Sequence, residues 1–96
     1  MPCVFKALAD STRRQILAML KNSDMSAGDI AARFDMSWPS ISNHLSVLKS
    51  AGLIIGTKEG QNIIYSINTT VLEDITSWLM DLSASNKLKG ENQNEI

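Results

Sequence analysis

One cysteine, Cys3, and one histidine, His44, stand in a chain of 96 residues. A single cysteine excludes an internal disulfide and a cysteine-based metal cluster within one chain, and a single histidine leaves little for histidine-driven catalysis. No paired carboxylates fall on a common apolar face, so no nucleophile, base or metal can be assigned. The chain is not expected to be an enzyme, and neither a metal nor another cofactor is expected. Long apolar runs are also missing. Nothing approaches the roughly 18 consecutive apolar residues of a membrane span, and the start Met1-Pro2-Cys3-Val4-Phe5-Lys6 lacks a basic region followed by an apolar stretch, so a cytoplasmic protein without membrane insertion is expected.

Net charge is low as well, at −1, but it is unevenly divided. Residues 1–68 carry seven basic against five acidic side chains, a net of +2, whereas residues 69–96 carry two against five, a net of −3. Any surface for a polyanion therefore belongs to the first two thirds. No acid lies between Asp35 and Glu59, an interval in which a carboxylate would repel phosphate. A chain this short makes one domain whose core covers only about two thirds of its unfolded surface, which favours self-association.

What is present is a series of short periodic segments. Val4, Phe5 and Leu8 have helical spacing, and Asp10-Ser11-Thr12 offers a cap for a second helix with the stripe Ile16, Leu17 and Leu20. Ser26 and Asp29 form a capping box ahead of Ala27, Ile30, Ala31 and Phe34. Asp35-Met36-Ser37 is a tight connection to a fourth helix with Pro39 in its first turn and Ile41, Leu45 and Leu48 inward, closed by Gly52. Leu53 to Lys58 and Asn62 to Ile67, joined by Glu59-Gly60-Gln61, read as a two-stranded hairpin. Asn68-Thr69-Thr70 with Glu73 opens a last helix whose long apolar face wants a partner. A domain over residues 1–82 results, and the polar stretch 83–96 is expected to be a disordered tail.

Two short helices with a tight turn, followed by a hairpin, make a mainly α winged helix-turn-helix with a small β-hairpin. With Ile41, Leu45 and Leu48 inward, Pro39, Ser40, Asn43, Ser46 and Ser50 point outward, flanked by Trp38, Ser42 and His44. Short polar groups of this kind can approach base edges, and a recognition helix reads bases mainly from its N-terminal half.

Leu8-Ala9-Asp10-Ser11-Thr12-Arg13-Arg14-Gln15-Ile16-Leu17, then Ser37-Trp38-Pro39-Ser40-Ile41-Ser42-Asn43-His44-Leu45, Leu48 to Leu53 and the wing ending Tyr65-Ser66-Ile67 resemble the ArsR-type winged-helix repressors. The likeness spans roughly residues 4–80, and Asn68-Thr69-Thr70-Val71-Leu72 is most similar to the small SdpR-like autorepressors. The resemblance implies a nucleoid-associated transcriptional repressor that occupies double-stranded operator DNA as a homodimer, with recognition helices in successive major grooves. It implies DNA contact at Trp38, Ser40, Ser42, Asn43 and His44, with Lys58 and Gln61 in the wing. It implies a dimer interface on the first and last helices, here Val4, Phe5, Leu8, Val71, Leu72, Ile75, Trp78, Leu79 and Leu82. Relatives often have glutamine at the position of Trp38 and arginine at that of Gln61. Many also carry Cys-x-Cys in the third helix or Asp and His ligands in the last; Ser26-Ala27-Gly28-Asp29-Ile30 and a last helix without His or Cys support neither metal site. Relatives are released from DNA by metals, oxidants or a sequestering protein partner, and the residues do not select between the last two.

Several residues keep a structural reading beside the functional one. His44 could be a packed or capping histidine, Trp38 could fold over the turn onto Phe34, and Arg13 and Arg14 suit structural support better than phosphate anchoring. Trp78 suits a dimer core better than a ligand pocket, and Cys3 a bystander thiol better than an intersubunit redox switch. A winged-helix module that binds a protein partner and never touches DNA is the competing function.

Overall fold

The computed structural model describes residues 3–90, with side chains through residue 84. Five helices and three strands follow the order α1 (Val4–Leu8), α2 (Ser11–Asn22), β1 (Met25–Ser26), α3 (Ala27–Ala31), α4 (Trp38–Ser50), β2 (Ile54–Glu59), β3 (Asn62–Ile67) and α5 (Thr69–Gly90). The helix starts are chemically fixed. Asp10 accepts from the Arg13 N–H at 3.1 Å, Ser26 Oγ from Asp29 N–H at 3.1 Å, and Ser37 Oγ from Ser40 N–H at 3.4 Å. Each satisfies an amide that the first helical turn would otherwise leave without a partner.

Helix α4 ends as Gly52 takes φ +78°, with the N–H of Gly52 bonded to Lys49 O and that of Leu53 to Leu48 O, both at 3.0 Å. This paired closure needs the left-handed conformation that glycine adopts without a Cβ clash. The chain is thereby turned directly into β2. Asn68 then fastens the other end of the hairpin: its Nδ2 donates to Gly52 O at 2.8 Å, its N–H to Leu53 O at 2.9 Å, and its Oδ1 accepts from Thr70 N–H at 3.2 Å. One residue ties the end of α4 to the start of α5.

Strands β2 and β3 pair antiparallel from Ile54↔Ile67 to Glu59↔Asn62, leaving Gly60-Gln61 as the loop. Gly60 has φ +63° and Gln61 does not share it, the pattern of a tight turn with glycine at its first position. The sheet corrects the expected two-stranded hairpin. It has three strands in the order β1-β3-β2, because Met25 and Ser26 pair with Tyr65 and Ile64. Two residues carry no periodicity, so only the tertiary pairing reveals this strand.

The core gathers Ala7, Ile16, Leu17, Leu20, Ile30, Ile41, Leu45, Leu48, Leu53, Ile54 and Tyr65, drawing on every element except α5 and β1. No polar or charged side chain is buried among the described residues. Two boundaries differ from expectation. Helix α3 stops at Ala31, and Arg33 and Phe34 continue as i→i+3 turns bonded to Ile30 O and Ala31 O, so Phe34 packs from the connection rather than from a helical stripe. Helix α5 does not end near Leu82 but runs to Gly90. Extending an existing helix needs no new nucleus, so a polar composition at 83–90 did not stop it; residues 91–96 of the expected tail lie outside the described residues.

Candidate nucleic-acid interface

Helix α4 buries Ile41, Leu45 and Leu48 against the core, and that registration decides what it shows outward. Trp38, Ser40 and Asn43 are exposed, Ser42 is half-buried, and Ser46 and Ser50 continue the exposed face. Trp38, at the first helical position, is 52% exposed, so it does not fold away over the connection. Ser37 and Ser40 hold each other, with Ser37 Oγ donating to Ser40 Oγ at 3.1 Å. The outward face therefore carries short polar groups and one indole, with no acid to repel a phosphate. Lys58 and Gln61 are exposed on a separate element, Lys58 near the tip of β2 and Gln61 in the loop itself.

His44 departs from the expected set. Its side chain is 16% exposed, with Nδ1 3.2 Å from Arg13 Nη1 and 3.8 Å from Asp10 Oδ2. The guanidinium has donors only, so Nδ1 is the acceptor in this contact. The reason is helical arithmetic: His44 lies three residues after Ile41 and four before Leu48, so it shares the inward side and meets α2. It is withdrawn from the exposed row formed by Trp38 and Asn43.

Arg13 is the residue whose task the sequence concealed. Its Nε donates to Ala7 O at 2.7 Å and its Nη2 to Lys6 O at 3.2 Å, closing the C-terminal end of α1, while Arg14 Nη1 donates to Leu8 O at 2.8 Å. The last carbonyls of a five-residue helix thus find cationic donors, with Lys6 O also accepting from the Ala9 N–H. These hydrogen bonds give both arginines a structural task. Asp10 lies beside this cluster, and the hydrogen bond from the Arg13 backbone N–H holds its carboxyl below the ordinary value, outweighing the opposing effect of desolvation, with the nearby Arg13 guanidinium acting in the same direction.

The expected dimer residues divide into two groups. Val4, Leu8, Val71 and Leu72 are half-buried and pack against the core of their own chain. Phe5, Trp78, Leu79 and Leu82 remain about half exposed, with Ile75 between the two groups. The rings of Phe5 and Trp78 lie 5.7 Å apart at 51°, which joins α1 and α5 into one apolar surface. Cys3 is free and exposed at the edge of α1. No group of three His, Cys, Asp or Glu side chains that could hold a metal ion occurs among the described residues.

Residues 10–55 match the family described as bacterial regulatory protein, arsR family. The chain is 55% identical to the transcriptional repressor SdpR of Bacillus subtilis (strain 168), over 81% of this chain and 87% of that protein. It is 36% identical to the transcriptional activator HlyU of Vibrio cholerae, over 70% of this chain and 62% of that one. A crystal structure of an ArsR family transcriptional regulator superposes with a TM-score of 0.79 at 31% identity, covering 83% of this chain and 88% of its own. With a winged helix-turn-helix fold and identity of this extent, the chain belongs to the ArsR family of bacterial regulatory proteins.

Proposed function

We propose that this protein is a DNA-binding transcriptional repressor that occupies an operator as a homodimer. The observation that carries the reading is the exposed face of α4: Trp38, Ser40, Ser42 and Asn43 stand on the N-terminal half of a helix whose other side is locked into the core. A rigid helix with short polar groups on its free face fits the width of the major groove. Lys58 and Gln61 in the wing meet the backbone beside it. Repression rather than activation is favoured by the 55% identity to the repressor SdpR against 36% to the activator HlyU.

The dimer is supported by the apolar surface of Phe5, Trp78, Leu79 and Leu82, too large a set of half-exposed side chains for a small monomer. Two-fold pairing there would set two copies of α4 on one face of a duplex. The protein works in the cytoplasm on the nucleoid, and with the family metal ligands missing, release from DNA falls to an oxidant or a sequestering protein partner. Among the described residues no helix is long and apolar enough to cross a membrane.

The test is binding of the full chain to a random duplex and to a duplex selected from a random library, across a salt series. Salt-dependent binding to both, tighter to the selected duplex, is the expected result. No affinity for either at low salt would favour the protein-interaction module instead.

A further inference from the structure

Which bases the helix reads can be taken further, on the footing of the operator-binding reading above. Several outward groups of α4 are already engaged. Ser37 and Ser40 bond each other, and His44 is held by Arg13. What stays free in the N-terminal half is the indole of Trp38, the exposed ring of Pro39 beside it, the half-buried hydroxyl of Ser42, and the exposed amide of Asn43, which has no side-chain hydrogen-bond partner among the described residues.

The helix start is also poorly equipped for phosphate. Pro39 has no N–H, and the Ser40 N–H is taken by Ser37 Oγ at 3.4 Å, so two of the first-turn amides that would cradle an anion are missing or engaged. This end of α4 suits base edges better than the backbone.

The major-groove code then narrows the choice. Guanine is read by Arg or Lys at O6 and N7, and cytosine by a carboxylate at N4. Between Arg33 and Lys49 there is no Arg or Lys, and the one acid, Asp35, precedes the helix. A serine hydroxyl such as that of Ser42 can bond either kind of edge and selects neither, so the pairings that discriminate are an asparagine amide with adenine N6 and N7, and an apolar group with the thymine C5-methyl. We propose that Trp38 and Pro39 form an apolar lip that reads thymine methyl groups, with Asn43 reading adenine, so that each operator half-site is centred on A·T pairs.

The experiment takes the duplex selected from the random library and replaces each thymine in turn by deoxyuridine, which lacks only the C5-methyl. Wild-type protein is expected to lose about fourfold in affinity at one or two positions of each half-site, the value of burying one methyl-sized group. Trp38→Ala should bind thymine and uracil duplexes alike, and Trp38→Phe should keep part of the discrimination. Thermal melting and sedimentation of both variants establish that fold and dimer are intact. Tight, selective binding that tolerates uracil at every position would overturn the inference and leave the repressor reading standing, as would full methyl discrimination by a folded Trp38→Ala. Failure of the library to yield any preferred duplex would overturn both.

Discussion

Arg13 reaches His44 across the junction of α2 and α4, Nη1 to Nδ1 at 3.2 Å, while its other two nitrogens hold the carbonyls of Ala7 and Lys6. A single guanidinium thus joins three helices: the one it sits on, the recognition helix and the N-terminal helix that shares an apolar surface with α5. The forked, planar donor is what makes this geometry accessible, since an ammonium cannot serve three acceptors in one plane. Arg13→Ala should therefore cost about 2 kcal/mol, less than the sum of three charge-assisted bonds because the site is partly wet. Arg13→Lys should recover little of it. Urea unfolding measures the loss, and a change below about 0.5 kcal/mol would mean that water replaces the guanidinium without cost.

The same cluster sets an acid limit on stability. The Arg13 N–H holds the Asp10 carboxyl below its ordinary value, so the charged form is the one that the folded chain prefers. A lowered folded value contributes stability that is fully present above the unfolded carboxylate value, roughly pH 4, and is lost as pH falls through the lowered one. Asp10→Asn keeps an acceptor for the helix cap but cannot titrate. Its stability should fall less steeply than that of the wild type between neutral pH and pH values below roughly 4, as read by melting temperature against pH. Parallel acid limbs for the two proteins would assign the acid loss to other carboxylates.

How much of this was legible in the sequence depended on the range of the signal. The inward stripe of α4 and the caps at Asp10, Ser26 and Ser37 were readable because a cap and its amide lie three residues apart. Gly52 was readable because φ +78° is a property of one residue. Strand β1 was not, since its two residues gain meaning only from Tyr65 and Ile64, far along the chain. Arg13 and His44, 31 positions apart, were hidden for the same reason. The spacing from Ile41 and Leu48 puts His44 at the edge of the inward stripe, but only the arrival of Arg13 from α2 shows what it meets there.

The apolar surface shared by Phe5 and Trp78 should respond to a charge at its centre. Trp78 is 51% exposed in the monomer, so Trp78→Glu leaves the core of the domain largely untouched. The dimer should weaken by roughly 30-fold or more, the effect of removing an aromatic anchor at an interface. Sedimentation of wild type and variant gives the answer, with unchanged melting of the monomer as the control. Wild-type protein that is monomeric at micromolar concentration would sink the dimer.

Metal ions should leave DNA affinity unchanged. The third helix has Ser26-Ala27-Gly28 where a Cys-x-Cys pair would be needed, and no His or Cys follows Gly52. Fluorescent operator titrated with protein in zinc, cadmium or arsenite, against a chelator control, should give superimposable curves. A shift of about tenfold or more that survives Cys3→Ser would reveal a site assembled from ligands of two chains.

Helix and wing should divide the work of binding, one specifying and the other anchoring. Asn43 is exposed on the N-terminal half of α4 with its amide free, so it can pair with a base edge and has little to offer a random sequence. Asn43→Ala should cost about 1–3 kcal/mol per half-site on selected DNA and little on scrambled DNA. Lys58 lies at the exposed end of β2, paired with Ile63 one step from the closing pair Glu59↔Asn62, a position from which it should meet phosphate whatever the sequence. Lys58→Ala should weaken both duplexes alike and reduce the salt slope by about one unit for each phosphate that the lysine had neutralised. A dimer carries each substitution twice, so both effects should nearly double per complex if the half-sites act independently. The measurement is binding of each variant to selected and scrambled duplex across a salt series. An unchanged ratio between the two duplexes for Asn43→Ala would show that α4 is not the reader, and an unchanged slope for Lys58→Ala would take the wing off the backbone.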